Sequence, residues 1–219
     1  MLSVFVPAEQ ARISRSSREE DLKLRIVSHL LVATLLSEKS GSGYRELLFK
    51  QGAYGKPELD REGAPCFNHS RSGRLAMCAL AEHPIGIDVE RCDPIDAASV
   101  RLLLGTPAET APNGRTPEEE LRFFYARWTM FESWLKAEGT GLHENHPLSA
   151  FAPEPDGACF RVDSLKKDSP PWVIETTEIE LPEPTGYRFA LCRRPQESPA
   201  SEIELLNGDE LVRRFLMLL

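Results

Sequence analysis

The sequence predicts an α+β protein: two long helices, each followed by short antiparallel strands. Three observations carry this prediction. The segments DLKLRIVSHLLVATLLSEKS (21–40) and EEELRFFYARWTMFESWLKAEG (118–139) repeat apolar residues at helical spacing and stop at glycines. Shorter runs such as CFNHSRSG (66–73), PIGIDVE (84–90) and WVIETTEIELPEPT (172–185) have strand character and are bounded by turn residues. The composition, 41% hydrophobic and 27% charged, is that of a globular chain able to bury a core.

Taken in order, residues 1–7 alternate weakly, as a short strand would. Ser16 and Glu19 have capping-box spacing and start the first helix, whose apolar side shows Leu22, Ile26 and Leu30 beside Val27 and Leu31. The helix stops at Gly41-Ser42-Gly43. YRELLFKQGAYGKPELD (44–60) holds a short apolar piece and a turn at Tyr54-Gly55-Lys56-Pro57. CFNHSRSG then leads into RLAMCALAEH, and AEHP (81–84) suits a tight hairpin into PIGIDVE. DAASVRLLLG (96–105) is weakly helical. The Pro-, Gly- and Thr-rich TPAETAPNGRTP (106–117) is a loop or hinge.

Thr116 caps the second long helix, with Pro117 in its first position. Beyond it, FAPEPDGACFRVD, WVIETTEIELPEPT and YRFALCRR give a short strand and a hairpin. Residues 195–201 form a linker. The last segment, NGDELVRRFLMLL, has a helical apolar face of Leu211, Val212, Phe215, Leu216 and Leu219 that is expected to pack back on the body. The chain therefore divides into an N-terminal half (1–105), a C-terminal half (106–196), and a linker with a C-terminal helix (197–219).

Composition also excludes. Net charge is −8, from 26 basic and 34 acidic residues, so no global basic field exists for nucleic acid. Five cysteines, Cys66, Cys78, Cys92, Cys159 and Cys192, are scattered singly, as in a reduced, cytoplasmic protein. MLSVFVPAEQAR lacks the regions of a signal peptide, and HLLVATLL is far short of a membrane span.

The chemistry starts at GIDVE (86–90). Asp88 and Glu90 lie two residues apart, on one face of a strand, where like charges repel. Alone, the pair also fits a solvated strand end with Arg91 beside it. In RWTMFESWLKAEG (127–139), Trp128, Glu132 and Lys136 form one stripe at spacing four. Alone, Glu132 and Lys136 fit an ordinary surface ion pair. Together, Asp88, Glu90 and Glu132 offer three hard oxygen ligands with no His or Cys cluster nearby, a set that suits Mg²⁺. The cation would offset the repulsion, and Lys136 would face a phosphate carried by it. FNHSRSG supplies hydroxyls, backbone N–H groups and a guanidinium, a phosphate cradle in kind.

These stretches, in this order, resemble the 4′-phosphopantetheinyl transferase superfamily, in particular its Sfp-type members. YGKP, FNHSRSG, PIGIDVE, RWTMFESWLKAEGTGL and PLSAF carry the resemblance, over about residues 10–195. It implies two similar α/β halves related by a pseudo-two-fold axis, each a long helix on a small antiparallel sheet. Coenzyme A and Mg²⁺ would sit in the cleft between them, in a monomer. It implies transfer of phosphopantetheine from coenzyme A to a serine of an apo acyl or peptidyl carrier protein, releasing adenosine 3′,5′-bisphosphate. Carried over position by position, Asp88, Glu90 and Glu132 match metal-binding acids, and Lys136 the lysine near the transferred phosphate. Lys56, Ser70 and Arg71 fall at coenzyme A-contacting positions. Arg18 and Arg25 are the candidates for its 3′-phosphate. The proton of the carrier serine would go to Glu109, to Glu132 or to a metal-bound water. Two departures stand out: Arg71 occupies a usual histidine position, with His69 two residues earlier, and Phe131 replaces a frequent lysine. The alternative is a relative that binds coenzyme A or a carrier without transfer. A different Mg²⁺-dependent phosphotransferase is weakened by the lack of a Walker-type G-x-x-x-x-G-K-[ST] run.

Overall fold

The computed structural model describes residues 18–52, 54–96, 98–100, 116–141, 148–182, 185–195 and 203–219. The strand expected at 1–7, the Ser16 cap, the candidate base Glu109, most of the weakly helical stretch and nearly all of the 195–201 linker lie outside these residues.

α1 (Glu19–Ser40) has Glu19, Glu20 and Asp21 in its first turn and ends at Gly41, whose φ of 66° is left-handed. The acids complement the positive end of the helix dipole, and the glycine takes up the left-handed cap without penalty. β1 (Phe49–Gln51) and β2 (Pro57–Leu59) form a hairpin around the YGKP turn. β3 (Cys66–Ser72) and β4 (Leu75–Ala81) form a second hairpin, in which Ser72 faces Leu75 across the two-residue turn Gly73-Arg74.

That hairpin corrects the sequence reading, which put the reversal at AEHP. β5 (Gly86–Arg91) does not pair with β4; it crosses to pair antiparallel with β9 (Tyr187–Arg193). Gly73 has φ 57°, so the chain reverses there, inside the run that had been read through. AEHP is instead the step between two sheets. The second sheet has the order β5-β9-β8-β7-β6, with β6 (Glu154–Asp156), β7 (Cys159–Val162) and β8 (Trp172–Ile179). The β6–β7 hairpin is one more than the sequence suggested.

α2 (Pro117–Glu138) begins with the predicted cap: Thr116 Oγ1 accepts from Glu119 N, and Glu119 accepts from Thr116 N. It ends at Gly139. Its apolar face, Phe131, Trp134 and Leu135, packs on Trp172, Ile174, Ala190 and Cys192 of the five-stranded sheet. Phe131 is therefore core rather than site. The opposite face of that sheet, Ile87, Val89, Phe189 and Leu191, is covered by Leu75, Met77 and Ala79 of β4. α1 buries Leu30, Ala33 and Leu36 with Leu59 and Phe67. The fold is thus mixed α+β, with helices packed on antiparallel sheets.

α3 (Gly208–Leu216) packs back, as expected, burying Leu211 and Phe215 in the α1 cluster. Arg214 clamps it with two bonds to Glu38 of α1, at 2.9 and 2.6 Å. Leu216 and Leu219, assigned to the same face by spacing, stay exposed. Among the described residues, no helix is long and apolar enough to cross a membrane.

Candidate active site

The two-residue period of β5 puts Gly86, Asp88 and Glu90 on the face opposite Ile87 and Val89. That face lies directly against α2. A Cβ on Gly86 would stand 1.9 Å from Ser133 O and 2.5 Å from Ala137 N, so only glycine allows the approach. Ser133 and Ala137 are the chain neighbours of Glu132 and Lys136. The glycine at the head of GIDVE therefore brings the helical Glu–Lys pair onto the strand carboxylates.

Lys136 Nζ donates to Asp88 Oδ1 at 2.6 Å, to Ser70 Oγ at 3.2 Å and to Ile87 O at 3.3 Å. Ser70 Oγ donates to the same Asp88 oxygen at 2.8 Å. Asp88 is only 2% exposed. Burial raises its pKa against the opposing pull of Lys136 and Ser70. Glu90 accepts from Ser72 Oγ at 2.7 Å. Its pKa is also raised, first by burial and further by Asp88. Glu132 is pushed up to about 7, by burial first, then by the charge of Asp88, with Glu90 adding and Lys136 opposing. The three carboxylates thus act on one another, and one lysine does not neutralise them.

Whether this set suits a divalent cation can be judged from the groups present. Asp88 Oδ2 is buried without a hydrogen-bond partner, which is costly unless something else satisfies it. The donors are hard oxygens, as Mg²⁺ requires. Among the described residues, no three His, Cys, Asp or Glu side chains are closed into a ligand cage. The Lys136 ammonium provides the positive charge at Asp88 instead. The donor chemistry of Asp88, Glu90 and Glu132 fits Mg²⁺.

The other expected residues fall in two places. Lys56 is turned inward, donating to Lys136 O at 2.6 Å and Ile85 O at 3.0 Å, and burial lowers its pKa. It ties the YGKP turn to the end of α2 and the entry of β5. Arg71 alternates with Ser70 and Ser72 and so points to the other face of β3. There, burial and the nearby charge of Arg25 both lower its pKa, with Asp21 opposing. Arg18 lies exposed at the α1 N-cap, two turns before Arg25. So Asp88, Glu90, Glu132, Lys136 and Ser70 meet, Lys56 braces them, and Arg25 with Arg71 forms a separate basic pair.

Four contributors escaped the sequence reading. Ser72 holds Glu90. Asn68 Oδ1 accepts from Ile87 N at 2.8 Å. Gly86 sets the helix–strand approach. Glu138 is buried and accepts from Ser164 Oγ, Leu165 N and Trp172 Nε1, each at 2.7 Å, pinning the end of α2 beyond Lys136. The N-x-S-x-S period of β3, matched to the D-x-E period of β5, was the signal available for Ser72. Glu138 gave none, because its donors lie 26 to 34 residues away.

Strand carboxylates facing a helical Glu–Lys pair, with two arginines on the other face of β3, are groups of the kind that act on phosphate esters. Comparison with known proteins narrows this. A model of the 4′-phosphopantetheinyl transferase superfamily matches residues 84–192, and one of the 4′-phosphopantetheinyl transferase N-terminal region matches residues 1–83. The 4′-phosphopantetheinyl transferase Sfp of Bacillus subtilis is 28% identical over 213 residues, covering 96% of this chain and 91% of the relative. The transferase gsp of Aneurinibacillus migulanus is 25% identical over 208 residues, covering 95% and 84%. A human L-aminoadipate-semialdehyde dehydrogenase-phosphopantetheinyl transferase is 27% identical over 150 residues, covering 62% and 48%. The chain belongs to the 4′-phosphopantetheinyl transferase superfamily. The boundary between the two matched regions falls at the step from β4 to β5, where the chain changes sheets.

Proposed function

We propose that this chain transfers the 4′-phosphopantetheine group of coenzyme A to a serine of an apo acyl or peptidyl carrier protein, with adenosine 3′,5′-bisphosphate as leaving group. The meeting of Asp88, Glu90, Glu132 and Lys136, in a chain that matches the family over residues 1–192, supports this most directly.

Asp88, Glu90 and Glu132 would hold Mg²⁺. Bound there, the ion would neutralise the pyrophosphate of coenzyme A and make its phosphorus a better electrophile. Lys136 uses three donors on one anionic and two neutral acceptors. Turning one of them from Ser70 or Ile87 to a phosphate oxygen exchanges a neutral acceptor for a charged one, which is favourable. Lys136 would thus stabilise the departing phosphate. Glu132 is one carboxylate that would take the serine proton. Glu109 is the second carboxylate for that role. Arg71 and Arg25 would hold the 3′-phosphate, whose charge relieves their mutual repulsion, with Arg18 beside them. Lys56 would act through the backbone of Lys136. Because arginine stays charged where histidine titrates, coenzyme A binding should not weaken above pH 7.

The same reading makes 1–105 and 106–196 two pseudo-symmetric halves of a monomer and 197–219 a C-terminal strap. Each long helix does lie on an antiparallel sheet. The cysteines are thiols rather than disulfides, in keeping with a cytoplasmic setting.

The test is to incubate the protein with coenzyme A, Mg²⁺ and a small apo carrier, and to read the carrier's intact mass. The expected result is a gain of one phosphopantetheine, abolished by chelator and by Glu132→Ala. Binding of coenzyme A with no gain on any fatty acid, polyketide or peptide carrier would overturn the transfer.

A further inference from the structure

β3 carries Asn68, Ser70 and Ser72 at alternate positions, and β5 answers with Asp88 and Glu90 at alternate positions. The two strands belong to different sheets and share no backbone ladder. Side chains join them instead. Asn68 accepts from Ile87 N, Ser70 donates to Asp88, and Ser72 donates to Glu90. The serines are not equivalent. Ser70 divides its contacts between Asp88 and Lys136. Ser72 Oγ accepts from Arg91 N at 3.0 Å and donates its one proton to Glu90 Oε2 at 2.7 Å. The backbone bond fixes the oxygen, so the proton has one direction. Among the described residues, Ser72 is the side chain that holds Glu90 by a hydrogen bond, and it leaves Oε1 uncommitted.

A glutamate on a strand has three rotatable bonds, and freezing them costs free energy when a ligand binds. A partner that fixes one carboxylate oxygen beforehand removes part of that cost. We propose that Ser72 is a positioning residue: its hydroxyl holds Glu90 in the rotamer that receives the divalent cation. This rests on Asp88, Glu90 and Glu132 being that cation's ligands, as proposed above. The β3 serines then have separate tasks, Ser70 for the Asp88–Lys136 pair and Ser72 for Glu90.

The experiment uses the full chain without coenzyme A and Mn²⁺ as probe, with affinity read by electron paramagnetic resonance of the free ion. Outer-shell partners of metal ligands are worth roughly 10–100-fold in affinity. Ser72 is half-buried, so Ser72→Ala should weaken Mn²⁺ by about 10-fold, the lower end of that range. Ser72→Thr keeps the hydroxyl, and Ser72→Val has the same shape without it. Thr should restore affinity to within about 3-fold of wild type, and Val should match Ala. This pair keeps the test valid if Ala disturbs folding. Equal Mn²⁺ affinity in the Thr and Val variants, with Glu90→Gln still weakening binding, overturns the role of Ser72 and leaves the ligand set standing. If Glu90→Gln also binds Mn²⁺ as wild type does, the ligand set itself is wrong and the role of Ser72 falls with it.

Discussion

Gly86→Ala tests how closely the site depends on the approach of α2 to β5. The added Cβ would begin 1.9 Å from Ser133 O and 2.5 Å from Ala137 N, where real contacts are not found below 3.0 Å. Both obstacles are helix backbone, so no rotamer change relieves them. Helix and strand must part by more than an ångström, or the helix must lose hydrogen bonds near Ser133. The α2 face that would lift also packs Phe131, Trp134 and Leu135 against the sheet. Overpacking of this kind costs about 1–3 kcal/mol when side chains can adjust. Here they cannot, so a loss of about 3 kcal/mol or more is expected. Function should suffer further, because Glu132 and Lys136 move with the helix while Asp88 and Glu90 stay with the strand. A misplacement of about 1 Å is worth roughly 100-fold in rate. Urea denaturation would give the first number and carrier modification at saturating coenzyme A the second. A variant within 1 kcal/mol of wild type (about the cost of an ordinary mutation) and of normal rate would refute the argument that this glycine sets the spacing.

Two further outcomes follow from the same geometry. Glu132 has its folded pKa raised from 4.5 to about 7, so the folded state binds more protons than the unfolded state between those values. Its contribution to stability therefore falls as pH rises from about 4.5 through 7. Discounted for solvent at this half-buried side chain, the penalty is about 2 kcal/mol at pH 8. Metal-free Glu132→Gln should accordingly be more stable than wild type at pH 8 and no more stable at pH 4.5. Melting in chelator at both pH values checks this, and a destabilised variant at pH 8 would count against the raised pKa. Phe215→Ala empties a buried contact with Tyr44, now at a ring separation of 5.0 Å, and should cost about 3 kcal/mol. The catalytic groups lie elsewhere, so kcat below the melting range should change less than 2-fold; an unchanged melting temperature would show that α3 is not docked.

Much of this was legible in the sequence where the cause was local. Thr116 with Pro117 set the start of α2, and Gly41 and Gly139 set the ends of the two long helices. Asp88, Glu90, Glu132 and Lys136 were legible because strand and helix periods alone put each pair on one face. The misplaced reversal at AEHP shows the limit. Ser72-Gly73-Arg74-Leu75 and Ala81-Glu82-His83-Pro84 are both plausible turns, and the choice was made at a distance. Tyr187 Oη accepts from Arg74 N at 3.0 Å, and β9 offers β5 a complete ladder from Gly86 to Arg91. Neither partner is within 90 residues in sequence. Lys56 illustrates the same point: YGKP marks a turn with a free lysine, and only the fold directs that lysine to the carbonyl at the end of α2.

The return of α3 to α1 bears on how the chain is born. The α1 cluster draws Leu30 and Leu36 from one end of the sequence and Leu211 and Phe215 from the other. A ribosome adding roughly 5–20 residues per second makes that interval on the order of 10–35 seconds. Throughout it, the nascent α1 shows the apolar stripe that α3 will cover, and β5 also waits for its partner β9. A chaperone or other cellular factor would find its opportunity on α1, on the surface between Tyr44 and the place Phe215 has yet to fill.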